Sequence, residues 1–99
     1  MNFGEALALV QQGEFMSRRG WNGKNMFIYF VQGTMVPVAD LRGNAQKAAH
    51  AKWSDVTGNG GNQSIRGHID MMAADGSIVV GWLASQSDML AIDWEITFP

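Results

Sequence analysis

The 99-residue sequence contains no cysteine. Disulfide staples and thiolate metal sites are therefore excluded. It has two histidines, His50 and His68, so a histidine-rich metal centre is excluded as well. No apolar run approaches the ~20 residues of a membrane-spanning helix, and the start, "MNFGEALALVQQGEF", lacks the basic region and long apolar core of a secretion signal. The formal net charge is −2, whereas a general binder of long nucleic acid is usually basic. No phosphate-binding loop, dinucleotide fingerprint, HExxH motif or nucleophile elbow occurs. What remains is a small intracellular domain whose chemistry resides in aromatic, amide and cationic groups.

At 46% apolar and 16% charged, the composition is globular, and the length suits one domain over 1–99. Asn2 and Glu5 form a capping box, and Phe3, Ala6, Leu7 and Val10 make one apolar helical face ending near Gly13. Phe15 to Trp21 reads as a strand. "WNGKN" then reads as a tight turn, because Asn-Gly suits positive φ. Met26 to Val31 is apolar throughout, the pattern of a strand covered on both faces; a helix would cover one face and a second subunit the other.

After a turn at Gln32–Thr34, "MVPVADL" reads as an edge strand, Asn44 to Trp53 as a short exposed helix, and "TGNGGNQ" as a mobile loop. Ser64–Ala73 and Ser77–Trp82 flank Asp75-Gly76, a hairpin signal. Ser85 or Ser87 caps a short helix carrying Met89 and Leu90. In "DWEITF", Trp94, Ile96 and Phe98 alternate with polar residues as in a half-buried strand. The sum is an α+β fold, a small antiparallel β-sheet with an N-terminal helix and one or two further short helices.

Three groups hold the candidate binding residues. "RRGWNGKN" supplies Arg18, Arg19, Trp21, Asn22, Lys24 and Asn25, groups able to pair with phosphates, stack on a purine and bond ribose or base edges; core packing of Trp21 and turn roles for the asparagines are the alternatives. "GWLASQSD" supplies Trp82, Ser85 and Asp88, with helix capping as the competing reading. His68 and Asp70, two apart on a strand, share a face. They suit a simple Asp–His hydrogen bond, a ligand contact or acid–base work. Arg66 is a further cation for phosphate. His50 sits in polar surroundings and reads as solvated. No metal or cofactor is expected.

"MNFGEAL", "GWNGKNMFIY" and "HIDMMAADGSIVVGWLASQSDMLAIDWEI", in that order, resemble a small phage-encoded family, formerly a domain of unknown function, identified as the second anti-Thoeris sponge family. The likeness spans roughly residues 1–31 and 66–96. The stretch around 36–63 falls outside it and reads as a variable insertion. The resemblance implies a non-enzymatic protein that binds glycocyclic ADP-ribose, the signal of the Thoeris antiphage defence, in the cytoplasm of the infected bacterium. It also implies cyclic oligonucleotides of the related CBASS defence as a further ligand class. Homo-oligomers are implied too, a dimer-of-dimers tetramer with pockets between subunits. Two other readings stand beside this one: a phosphodiesterase or glycohydrolase using His68 and Asp70, and a protein-interaction module that blocks a defence effector.

Overall fold

The computed structural model describes residues 1–53 and 61–98. The elements, in chain order, are α1 (Phe3–Gln11), β1 (Met16–Arg18), β2 (Phe27–Val31), β3 (Thr34–Pro37), α2 (Gly43–Trp53), β4 (Asn62–Ile65), β5 (His68–Met72), β6 (Ile78–Val79), α3 (Gln86–Leu90) and β7 (Trp94–Ile96). Among the described residues, five strands form an antiparallel sheet in the order β6-β5-β2-β1-β7, and β3 pairs with β4 in a second, two-stranded sheet. The fold is α+β. The chain divides into two compact units, residues 1–31 with 68–99, and residues 32–67.

The capping box of α1 is present. Asn2 Oδ1 accepts from the Glu5 N–H at 2.8 Å, and Glu5 Oε1 accepts from the Asn2 N–H at 3.1 Å. Gly13 takes φ +100° just beyond the helix and lets the chain turn. Ala6 and Val10 are fully buried, with Phe3 and Leu9 packed beside them. Leu9 takes the place in this packing that the periodicity gave to Leu7. Ala6 and Val10 meet Met16, Ile28, Met71 and Trp94 from the sheet, the core of the first unit. Each fully buried aliphatic or Met side chain here contributes roughly 1.5–3 kcal/mol.

The β5–β6 hairpin turns at Asp75-Gly76 as the sequence indicates: Gly76 has φ +87°, and Asp75 Oδ1 accepts from the Ser77 N–H at 2.9 Å. Ser85 caps α3 in a second capping box, reciprocated by Asp88. Other expectations need correction. The first strand stops at Arg18, and Arg19–Trp21 forms a 3₁₀ turn. The chain bends there because the Arg19 N–H donates to the Asp93 carbonyl and the Gly20 N–H to the Asp93 carboxylate. "WNGKN" holds the positive φ values of Asn22, Gly23 and Asn25. It lies in a broad loop instead of a tight hairpin, since β1 and β2 are in register only at Met16↔Ile28.

Among the described residues, β2 is not covered on both faces. Ile28 is buried, yet Phe30 on the same side is 37% exposed. On the opposite side Phe27 stacks on Phe15 with ring centroids 5.0 Å apart, and Phe15 remains exposed. The strand after Asp75-Gly76 is only Ile78–Val79. Phe98 is 88% exposed, not half-buried, because β7 ends at Ile96.

In the second unit, β3 ends at Pro37, and Val38–Asp40 forms a 3₁₀ turn that buries Val38. Asn62 and Gln63, read from sequence as loop, belong to β4 opposite Pro37 and Val36; Ser64 and Ile65 pair here too, not with β6. The rest of that loop, residues 57–60, lies outside the described residues apart from its neighbours in β4. Helix α2 forms as expected, with Ala49 buried and His50 exposed. Gln63 Oε1 accepts from the Trp53 indole N–H at 3.0 Å, tying α2 to β4.

Candidate functional site

A cleft of about 250 Å³ opens on the first unit. It is lined by Ser17, Arg18, Arg19, Trp21, Gly23, Lys24, Asn25, Met26, Glu95 and Thr97. Two local features shape it. Ser17 and Glu95 are direct partners across the β1–β7 pair, and Arg19 and Thr97, each one residue beyond the end of its strand, line the same cleft. The opposite wall is the loop that carries Lys24 and Asn25, held open by left-handed backbone at Asn22, Gly23 and Asn25.

The cations of this cleft are not equivalent. Arg18 is 18% exposed and bound by two carboxylates: its Nη1 donates to Asp88 Oδ1 at 2.8 Å and its Nε to Asp93 Oδ1 at 2.9 Å. These bonds raise the guanidinium pKa further above its ordinary value, Asp93 contributing most. Arg19 is 80% exposed, and its nearest carboxylate oxygen, on Glu95, lies 3.9 Å away. Lys24 is exposed and makes no ion pair among the described residues.

Behind the cleft lies a node centred on Asp88. Its Oδ1 receives both Arg18 and the Trp21 indole N–H, the latter at 3.3 Å, and its Oδ2 receives the Ser85 N–H at 3.3 Å. Burial pushes the Asp88 carboxyl pKa up, but the bonds from Arg18, Ser85 and Trp21 outweigh it and hold the group below the ordinary carboxylate range. Trp94 donates its indole N–H to the Asp88 carbonyl at 2.9 Å. Trp21, Trp82 and Trp94 meet edge to face, with centroids 5.2 to 6.3 Å apart. Every indole N–H and carboxylate oxygen in this node is thereby used or solvated, which is the condition for burying such groups.

His68 and Asp70 do share a face, with Nε2 to Oδ1 at 3.4 Å. Asp70 is 5% exposed, opposes Tyr29 in the β2–β5 register, and accepts from the Gly81 N–H at 2.9 Å. Burial, with the Asp70 charge second, pushes the Tyr29 hydroxyl pKa up.

The structure thus brings Arg18, Arg19, Trp21, Lys24 and Asn25 to one cleft. Trp82, Ser85 and Asp88 stand in the node behind it, and Asn22 supplies backbone geometry to its wall. His68 and Asp70 are not among the lining residues, and Arg66 belongs to the other unit. Sequence reading missed Ser17, Glu95 and Thr97. The alternation of β7 carried a signal for the last two, but only the β1–β7 register puts them beside Ser17 and Arg19. Among the described residues, no three His, Asp or Glu side chains gather as a metal site, and no helix is long and apolar enough to cross a membrane.

The Thoeris anti-defense 2-like domain model matches residues 1–97. The chain belongs to that family. A relative from Bacillus phage SP01, named Thoeris anti-defense 2, is 34% identical, the match covering 97% of this chain and 93% of that protein. The Thoeris anti-defense 2-like match runs through both units, so the segment 32–67 lies within the family domain. The family carries an anti-defense name and not an enzymatic one, in keeping with a phage protein whose role is to counter Thoeris.

Proposed function

We propose that this protein counters Thoeris by capturing the nucleotide signal, a glycocyclic ADP-ribose, and holding it uncleaved. The observation that carries this reading is the cleft beside β1 and β7, where Arg19, Lys24, Asn25 and Trp21 converge. The cations suit a diphosphate, the amide and the hydroxyls of Ser17 and Thr97 suit ribose, and Trp21 offers a stacking surface. Cyclic oligonucleotides share these groups and are the second ligand class.

At about 250 Å³ the cleft falls just under the ~300–1,000 Å³ of typical small-molecule sites. A second copy of the chain supplies the missing wall in this reading. Leu83, Leu90, Ile92 and Phe98 are each more than three-quarters exposed, apolar side chains available to such a contact. Assembly as a dimer of dimers covers them.

Nanomolar capture requires about 12 kcal/mol. A stacked base supplies ~1–3 kcal/mol and each charged hydrogen bond ~1.5–3, so little remains for ordering the site on binding. The Arg18–Asp88–Trp21 node meets that demand by fixing the wall in advance.

The test is to mix protein and glycocyclic ADP-ribose, remove free ligand, and denature the protein by heat. Release of intact signal at a fixed ratio to protein is the expected result. Signal loss that continues past the number of binding sites establishes turnover and overturns the reading. The His68–Asp70 contact is the one observation that favours an enzyme, and the same time course decides it.

A further inference from the structure

We propose that Glu95 is a built-in counter-ion that pairs with Arg19 at the cleft and competes with the ligand's phosphates for it. The inference rests on the capture reading above and adds a residue that tunes it. Arg18 and Arg19 are adjacent in sequence but differ in availability. Arg18 sits at 2.8 and 2.9 Å from its two carboxylates, the spacing of strong charge-assisted hydrogen bonds. Arg19 sits 3.9 Å from Glu95, with side chains 80% and 48% exposed. A pair of that length in water is held weakly and yields to a better anion.

Glu95 cannot withdraw by moving its backbone. It is the middle residue of β7, flanked by pairs Ile96↔Met16 and Trp94↔Arg18, and Trp94 is anchored in the core. Its side chain therefore always springs from the cleft edge, whether Arg19 is engaged or not. An arriving phosphate gains Arg19 and Lys24, but it must displace Glu95 from the first and accept its repulsion. The wild-type cleft thus binds anions less tightly than its cations alone allow.

Titration of wild type, Glu95→Gln, Arg19→Gln and the double variant with glycocyclic ADP-ribose by calorimetry tests this. Glu95→Gln should tighten binding up to about fivefold, the range set by one exposed ion pair, and the gain should vanish when Arg19 is Gln. By nuclear magnetic resonance the Arg19 Nε–H signal of wild type should shift on ligand addition, and in the absence of ligand it should differ between wild type and Glu95→Gln. Unchanged affinity in Glu95→Gln overturns the proposal; weaker affinity overturns it too and makes Glu95 an acceptor for the ligand. A gain that survives in the double variant places the effect in the general field and not in Arg19. Failure of wild type to bind removes the capture reading itself, a result distinct from these three.

Discussion

Trp21 and Asp88 are joined by a hydrogen bond from the indole N–H to Oδ1 at 3.3 Å, and Arg18 shares that same oxygen at 2.8 Å. An aromatic residue of the cleft wall is therefore fixed by a carboxylate from α3, 67 residues away in sequence. This makes wall geometry and fold stability one problem, with consequences that can be measured.

Removing Arg18 should be costly. Arg18→Met leaves Asp88 charged and largely buried beside an apolar chain, and breaking such a pair costs about 3 kcal/mol. Arg18→Lys should restore only part of it, since an ammonium does not span two carboxylates in the planar fork geometry. Urea unfolding of the three proteins measures both effects.

Trp21 and Trp94 should separate cleanly. Trp94 is 2% exposed, and Trp94→Ala should destabilise by about 3–5 kcal/mol. Trp21→Phe keeps much of the packing but deletes the bond to Asp88, with a loss of about 1 kcal/mol. If the Trp21 indole stacks on the ligand, Trp21→Ala weakens binding at least tenfold while the protein stays folded and assembled. Circular dichroism, light scattering and calorimetry on the same samples check this; simple unfolding assigns Trp21 to the core alone.

Gly20 has no room for a methyl group. A Cβ there would come within 2.9 Å of Asp93 Oδ2 and 3.1 Å of Arg18 Nη2. Gly20→Ala should push Asp93 off the Gly20 N–H, loosen its hold on Arg18, and lower stability by about 1–3 kcal/mol. Gly33→Ala meets backbone, the Gly67 nitrogen at 2.9 Å, and should disturb the second unit. Thermal unfolding midpoints read out both.

Acid should weaken the fold. The Arg18 bond, the largest influence, depresses the Asp93 pKa against burial, with the Gly20 N–H adding a lesser pull downward, and Asp88 is depressed although burial is its largest single influence. Carboxyls whose native pKa lies below the unfolded value of about 3.9 stabilise the protein fully above that value. The contribution then falls as pH drops through the native pKa values. Unfolding free energy should be flat near neutrality and decline below about pH 5, with a shallower decline in Asp88→Asn.

The local elements were legible in the sequence because their signals are local. The capping box at Asn2–Glu5, a serine cap at Ser85 or Ser87, the Asp75-Gly76 turn and the Ala-rich α2 each announce themselves within a few residues; the structure selects Ser85 and adds Asp88 as its reciprocal partner. The α+β class followed from their order. The site was half legible. The "RRGWNGKN" cluster was visible, but a strand pattern through Trp21 put Arg18 and Trp21 on opposite sides. Asp93 overrules that pattern by taking the backbone N–H of Gly20, a contact no periodicity encodes. Glu95 and Thr97 looked like the solvent side of a terminal strand until the register with β1 placed them beside Arg19.

Val31 and His68 face each other as the last pair of β2 and β5, and everything from residue 32 to 67 departs and returns through that single doorway. Replacing residues 32–67 by Asn-Gly would leave Val31 and His68 flanking a two-residue turn, the length of an ordinary hairpin; the shortened chain is expected to keep the circular dichroism of the first unit, whose Arg18–Asp88 bond lies outside the replaced segment.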